Sequence, residues 1–292
     1  MIAIDIDPNL LVWGALIISW HGFFSLLAVI TALILVARWA PTKNIDPDDI
    51  YSIAAWGIIG GIIGARIVHV IDQWSYYQNN INEIIAIWQG GIGIWGAIIG
   101  GFIAAAIYTK IRKKPVGIIA DLTAPALLLA QTIGRLGDII NGEHCAKTTE
   151  LFFGFIWTSP LSNAKYCENP IGIPVHPVIG YEILWNLAVL FLIWQLRNKV
   201  SPAGIIFTIY LLLYAVGRFV ITFFRDDRVW YLGLQEAHFI SIIIGLITIS
   251  ILIMKFKLIP KEERSSIDIQ TQNYDKKVSG TRAQRRRDLK NN

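Results

Sequence analysis

Seven apolar stretches, each near the roughly 20 residues a helix needs to cross a bilayer, constrain this chain more than any other feature. They run over about 10–37, 51–71, 86–109, 118–140, 177–196, 203–224 and 237–258. Inside hydrocarbon a backbone must satisfy its own hydrogen bonds, so each stretch is read as a helix. Composition agrees: 54% of the 292 residues are hydrophobic and only 16% are charged, whereas a soluble domain carries about 25% charge. The expected fold is an all-α polytopic membrane protein with seven transmembrane helices occupying residues 1–258. Residues 259–292 are polar and without a periodic apolar face, and are read as a disordered tail.

The connections set the expected orientation. Loops 38–50, 110–117 and 197–202 carry Arg38 and Lys43, then Lys110, Arg112, Lys113 and Lys114, then Arg197 and Lys199. Loop 72–85 has no Lys or Arg, loop 141–176 has Lys147 and Lys165, and loop 225–236 has Arg225 and Arg228. The positive-inside rule then puts the N-terminus outside and the C-terminus in the cytoplasm. The first ten residues lack the basic start of a cleaved signal peptide, so the first span is expected to stay. The net charge of +5 owes much to the tail, with Arg285, Arg286 and Arg287. It is read as attraction to the anionic inner leaflet and not as nucleic-acid binding. Loop 141–176 becomes a small external cap with a strand or two. Its Cys145 and Cys167 form neither a metal pattern nor CxxC, and a disulfide between them requires an oxidising compartment.

Gly57, Gly60, Gly61 and Gly64, with Gly96 and Gly100, make GxxxG pairs that let spans two and three approach closely. Three glycines among Gly90, Gly91, Ile92 and Gly93 make a poor helix start and suggest a bend or re-entrant segment lining a cavity.

Ionisable residues within spans are costly and mark functional sites. Arg66, Arg135 and Arg218 fall in the outer halves of spans two, four and six, which fits one shared anionic site better than three separate snorkelling cations. Arg135 heads a polar cluster from Gly134 to Glu143 that includes Gly137, Asp138 and Asn141. His21 lies in the first span, His69 shares a helix face with Arg66, and Glu182 requires a cationic partner. Tyr214, Arg218, Thr222 and Arg225 form one stripe. Arg218 is either paired with Glu143 or Glu182, or is a second phosphate clamp facing Arg135, a task suited to a guanidinium. GxSxG, HExxH and Walker sequences are missing, so neither a covalent serine nor zinc hydrolysis is indicated. Arginines with a few hydrogen-bonding groups suit a reaction whose substrate brings its own nucleophile. An anionic-lipid transporter could use the same arginines, but inverted repeats and matched broken helices are not apparent.

Gly-Arg-x-Gly followed by Asn-x-Glu at 134–143 resembles the signature of the prolipoprotein diacylglyceryl transferases. The likeness extends over His21-Gly22, Gly64-Ala65-Arg66, Gly90 to Gly101, His176-Pro177, Tyr181-Glu182 and Tyr214 to Arg225. It implies a bacterial cytoplasmic-membrane enzyme needing no cofactor or metal. Such an enzyme moves the diacylglyceryl group of phosphatidylglycerol to the lipobox cysteine of a prolipoprotein signal peptide and releases glycerol phosphate. Arg135 and Arg218 match the family's arginines, which would bind the headgroup and stabilise the leaving phosphate, with Arg66 a third candidate cation. Asn141, Glu143 and Gly137 would shape the pocket, and Tyr214 matches a tyrosine of the same stripe. The chain departs from the pattern with Asp138 for asparagine, Trp95 for a histidine and Thr222 for a glutamate. A base for the thiol would then come from His21, His69 or Asp138. A divergent member with another acceptor or without activity is the alternative.

Overall fold

A computed structural model describes residues 1–258 apart from Ala15 and Pro170. The tail expected to be disordered, 259–292, lies outside the described residues. The elements are β1 (Ile2–Ile4), β2 (Asn9–Trp13), β3 (Leu16–Ser19), α1 (Trp20–Trp39), α2 (Pro47–Asp72), α3 (Trp74–Tyr77), α4 (Ile94–Ile111), α5 (Val116–Asn141), β4 (Phe155–Trp157), α6 (Val178–Leu196), β5 (Val200–Ser201), α7 (Ile205–Thr222), β6 (Val229–Tyr231), β7 (Leu234–Gln235), α8 (Glu236–Lys255) and β8 (Lys257–Leu258). Seven helices, all except the short α3, are long and apolar enough to cross a membrane.

Two expected boundaries move. The first apolar stretch was expected to be helical from residue 10, but Asn9–Trp13 and Leu16–Ser19 pair as an antiparallel hairpin and the helix starts at Trp20. Apolarity and length do not separate a helix from a strand, and Val12, Trp13, Ile17 and Ile18 are residues that favour strands. The third span was expected from 86, yet α4 begins at Ile94, after short 3-10 turns and the glycines at 90–93. The fold is mostly helical and not all-α: among the described residues eight short strands form four two-stranded pairs.

The chain divides into two compact units. The first joins Met1–Ile34 to the chain from Ala120 onward. Its helical core lies among α5, α6 and α7, where Ala124, Leu128, Val189, Ile193, Ile205, Ile206 and Tyr210 pack together. Gly204 has no side chain to cap α7, and the carboxylate of Asp121 on α5 does it instead, accepting from Gly204 N at 2.7 Å and Phe207 N at 2.9 Å. That third-party cap satisfies two of the orphan amides at the α7 start and locks α7 to α5.

Between α5 and α6 the chain folds into an ordered lobe. β1 pairs in parallel with β4, Ile2 opposite Phe155 through Ile4 opposite Trp157. Ile4, Phe155, Trp157, Val175 and Ile179 form its core. Cys145 and Cys167 are joined by a disulfide.

The second unit is Leu35–Ile119. Asp46 caps α2 by accepting from Asp48 N at 3.0 Å, with Pro47 following it. α2 and α4 then pack backbone to backbone: a methyl group placed on Gly64 or Gly96 would run into the other's carbonyl, and one on Gly60 would strike Ala104. The expected GxxxG pairing is thus the α2–α4 interface. Segment 83–93 folds back along α2 and is held by Arg66, whose Nε donates to Ile84 O (2.6 Å), Nη1 to Gly90 O (2.7 Å) and Gly91 O (3.0 Å), and Nη2 to Glu83 O (2.6 Å). Gly93 N donates to Ala65 O at 2.9 Å. Gly90 and Gly91 have φ of 85° and 78°, a backbone region that side chains avoid, so the bend expected there exists because both are glycine.

Candidate functional site

The site of the first unit is assembled at the end of α5. Arg135 and Asp138 lie three residues apart and so face the same way. Gly137 between them has its α-carbon close against the backbone of Trp20 and His21, where a Cβ would sit only 2.8 Å from His21 Cα. This contact brings the start of α1 directly onto the last turns of α5. Gly142 then ends α5 with φ of 72°, its amide donating back to Asp138 O at 2.9 Å. A side chain at 142 would collide with Ser162 and Trp157. The reversal at Gly142 turns Glu143 and His144 back toward the helix they follow.

The polar groups form a continuous chain. His21 Nδ1 is 2.6 Å from Asp138 Oδ1 and 3.4 Å from Glu143 Oε1. Asp138 Oδ2 accepts from Arg135 Nη1 at 2.6 Å and lies 3.0 Å from His144 Nε2, which is itself 2.8 Å from Arg135 Nη1. Arg135 Nε reaches Glu182 Oε2 at 2.5 Å, and Glu182 Oε1 accepts from Arg218 Nη1 at 2.7 Å. Two guanidiniums, one each from α5 and α7, therefore close on a single carboxylate from α6. Asn141 Nδ2 donates to Glu143 Oε2 at 2.7 Å and orients that side chain.

Charge explains the arrangement. Arg135 and Arg218 are balanced by Asp138 and Glu182, and the carboxylates are the more buried, at 5% and 9% side-chain exposure. A buried charge must be paired and hydrogen-bonded, so each carboxylate meets two donors. Arg218 and His21 keep 26% and 43% of their side-chain surface accessible. The site is thus walled by salt bridges and open at its cationic and imidazole ends.

A model of the prolipoprotein diacylglyceryl transferase family matches residues 8–254. The chain belongs to this family. Proteins named phosphatidylglycerol--prolipoprotein diacylglyceryl transferase are similar to it over most of their length. The one from Pediococcus pentosaceus is 34% identical over 253 residues, covering 84% of this chain and 88% of the relative. That of Listeria welshimeri is 34% identical across 86% of this chain and 90% of the relative. That of Acaryochloris marina is 34% identical across 89% of this chain and 95% of the relative.

Within this diacylglyceryl transferase family fold, the residues singled out from sequence sort by contact. His21, Arg135, Asp138, Asn141, Glu143 and Arg218 belong to the one network, and Gly137 makes the helix contact that joins its two ends. Tyr214 lies one turn before Arg218 on α7 and packs its ring 6.2 Å from Tyr210, whose hydroxyl accepts from Gln131 at 2.8 Å. Arg66, expected to share the anionic site, sits in the second unit with its guanidinium directed at four backbone carbonyls. It holds the 83–93 segment in place. His69 packs against Gly91 and edge-on to Tyr77. Arg225, the last of the α7 stripe, pairs with Asp227 at 2.6 Å, and Thr222 Oγ1 donates to Arg218 O at 2.5 Å.

Glu182 and His144 complete the network, although sequence reading placed neither among the site residues. The signal for Glu182 was present, since a carboxylate one turn inside a span demands a cation. His144 has no comparable signal, because only the turn at Gly142 brings it back. His21, Asp138 and Glu143 have ligand atoms within 4.8 Å of one another. Arg135, 2.6 Å from the same Asp138 carboxylate, repels a metal cation there. Close by in sequence, outside the spans, the imidazole of His176 contacts Tyr181 Oη at 3.2 Å, and burial together with Lys147 holds its pKa below the usual 6.5.

Proposed function

We propose that this chain transfers the diacylglyceryl group of phosphatidylglycerol to the lipobox cysteine thiol of a prolipoprotein signal peptide, releasing glycerol phosphate. The observation that carries the reading is the shared carboxylate: Arg135 and Arg218 both bind Glu182, at 2.5 and 2.7 Å. Two guanidiniums converging on one small anion also suit a phosphodiester, which offers the same pair of oxygens with tetrahedral geometry.

In this reading the headgroup phosphate binds the accessible faces of Arg218 and Arg135. The thiolate attacks the phosphate-bearing CH2 carbon of the diacylated glycerol, and the bond from that carbon to the phosphate oxygen breaks with its electron pair leaving on the phosphate. Charge builds on the departing phosphate, where the two arginines are already oriented by Glu182 and Asp138 and need not reorganise. Asn141 and Glu143 line the approach, Gly137 keeps α1 against α5, and Tyr214 supports Arg218 from the preceding turn. Arg66 supports the 83–93 segment and is not assigned a headgroup contact.

The same reading places the enzyme in the bacterial cytoplasmic membrane with the N-terminus outside, 141–176 as an external cap, and 259–292 as a separate basic tail in the cytoplasm. The Cys145–Cys167 bond supports an outward cap, because disulfides persist in oxidising compartments. The basic loops 38–50, 110–117 and 197–202 support the opposite side as cytoplasmic.

The test is thioether formation by mass spectrometry, with purified protein, phosphatidylglycerol and a lipobox peptide carrying a free cysteine. Wild type is expected to yield the diacylglyceryl thioether and glycerol phosphate together, and Arg135→Ala to lower the rate by about 10²–10³, the usual cost of removing one charge-stabilising donor. Wild-type protein that makes no thioether refutes the reading.

A further inference from the structure

His21 and Asp138 make a pair whose imidazole the headgroup site does not use. Nδ1 of the imidazole is 2.6 Å from a carboxylate oxygen of a residue only 5% exposed, while the imidazole is 43% exposed. A carboxylate accepts and cannot donate when ionised, so the proton between them sits on Nδ1, and in the neutral ring Nε2 carries the lone pair. Among the described residues Nε2 of His21 makes no hydrogen bond, whereas Nε2 of His144 is held between Arg135 at 2.8 Å and Asp138 at 3.0 Å. Of the two histidines in the network, one is tied down and the other presents a free basic nitrogen.

We propose that His21 Nε2 is the general base that takes the proton from the acceptor thiol, with Asp138 as the positioning residue that fixes its tautomer; this rests on the transferase reading above. The other ionisable groups around the imidazole are Glu143 at 3.4 Å and, beyond Asp138, Arg135 and His144. Glu143 is the weaker choice, because one of its oxygens already faces the His21 imidazole at 3.4 Å. The other oxygen is engaged by Asn141. Asp138 itself has both oxygens committed, one to His21 and one to Arg135. It orients and cannot approach the thiol.

The step balances. The thiol S–H breaks, its proton moves to Nε2, and the sulfur lone pair forms the new carbon–sulfur bond. The carbon–oxygen bond to phosphate breaks with its electron pair going to the phosphate oxygen. The imidazolium then passes the proton to the departing phosphate monoester, whose second ionisation near pH 6 makes it a fit acceptor. Asp138 stabilises the imidazolium between the two transfers and Arg135 holds Asp138 in register.

The experiment compares full-length wild type, His21→Gln and Asp138→Asn with phosphatidylglycerol and the lipobox peptide, following thioether formation across pH. At about pH 7 His21→Gln is expected to be slower by about 100-fold, the lower end for a lost general base. At about pH 9.5 the thiol ionises unaided, and the defect is expected to shrink below about 10-fold. Asp138→Asn is expected to show a smaller defect that shrinks in parallel. A ratio of wild type to His21→Gln that stays constant with pH would show a structural role and overturn the proposal, as would a His21→Gln enzyme of wild-type rate at about pH 7. An Asp138→Asn defect independent of pH would assign Asp138 to Arg135 alone and remove the dyad. Wild type that forms no thioether would overturn the transfer reading and this inference with it, whereas an active wild type with a pH-independent His21→Gln ratio overturns the inference only.

Discussion

Glu182 is the residue on which the cationic site depends, since Arg135 Nε and Arg218 Nη1 both bind its carboxylate. Removing one partner of a buried ion pair leaves charge uncompensated and costs about 3–5 kcal/mol. Glu182→Gln is therefore expected to lower the melting temperature of the lipid-free protein. Added phosphatidylglycerol supplies the missing anion, so the stabilisation by lipid in a thermal-shift assay is expected to be larger in the variant than in wild type. An equal shift in both would mean that the headgroup does not take the place between the arginines. His176 makes a separate, pH-dependent contribution. Burial and Lys147 lower its folded pKa, so the unfolded chain binds the proton more tightly. The contribution is complete above the unfolded value of about 6.5 and is lost as pH falls from there toward the lower folded pKa. His176→Gln is expected to flatten that part of the stability profile, measured by thermal unfolding between about pH 5 and 7.5.

At the scale of elements, the α2–α4 contact and the 83–93 segment belong to the second unit. Gly64→Leu or Gly96→Leu must push the two backbones apart, and overpacking of this kind costs about 1–3 kcal/mol or more. Reduced thermal stability in detergent is the expected readout, with Gly245→Leu on α8, at a position where nothing lies within 4 Å of a Cβ, as the milder comparison. Arg66→Lys replaces a planar fork that reaches four carbonyls with a single ammonium, and hydrogen bonds to a charged group contribute about 1.5–3 kcal/mol each. Amide exchange over 83–91 is expected to accelerate while α2 stays protected. In the lobe between α5 and α6, the disulfide closes a separation of 22 residues. By chain entropy such a loop contributes roughly 3 kcal/mol, so reductant is expected to lower the melting temperature of wild type and leave Cys145→Ser unaffected.

For the whole molecule, the seven spans and their loop charges were legible from apolar length and the placement of Lys and Arg. A reporter joined after Asn292 is expected to read as cytoplasmic and one before Met1 as external. Protease protection in oriented vesicles checks this. The family too was legible, because Gly134 to Glu143, Tyr214 to Arg225 and the paired glycines stand in a fixed order along the chain. Legible as well was that Arg135, Arg218 and Glu182 needed partners, since hydrocarbon offers no water to satisfy them. Which charge met which was not. The sharing of Glu182 by two arginines, the His21–Asp138 pair 117 residues apart in the chain, and the return of His144 through the turn at Gly142 come from helices packed side by side. Arg66 illustrates the same point, because only the folded-back segment supplies the carbonyls that its guanidinium binds. The first hairpin and the start of α4 follow the same logic. Hydrophobicity decides whether a segment leaves water, and is a property of the segment alone; hydrogen-bond partners and the choice between strand and helix are settled by neighbours distant in sequence, which only the tertiary structure supplies.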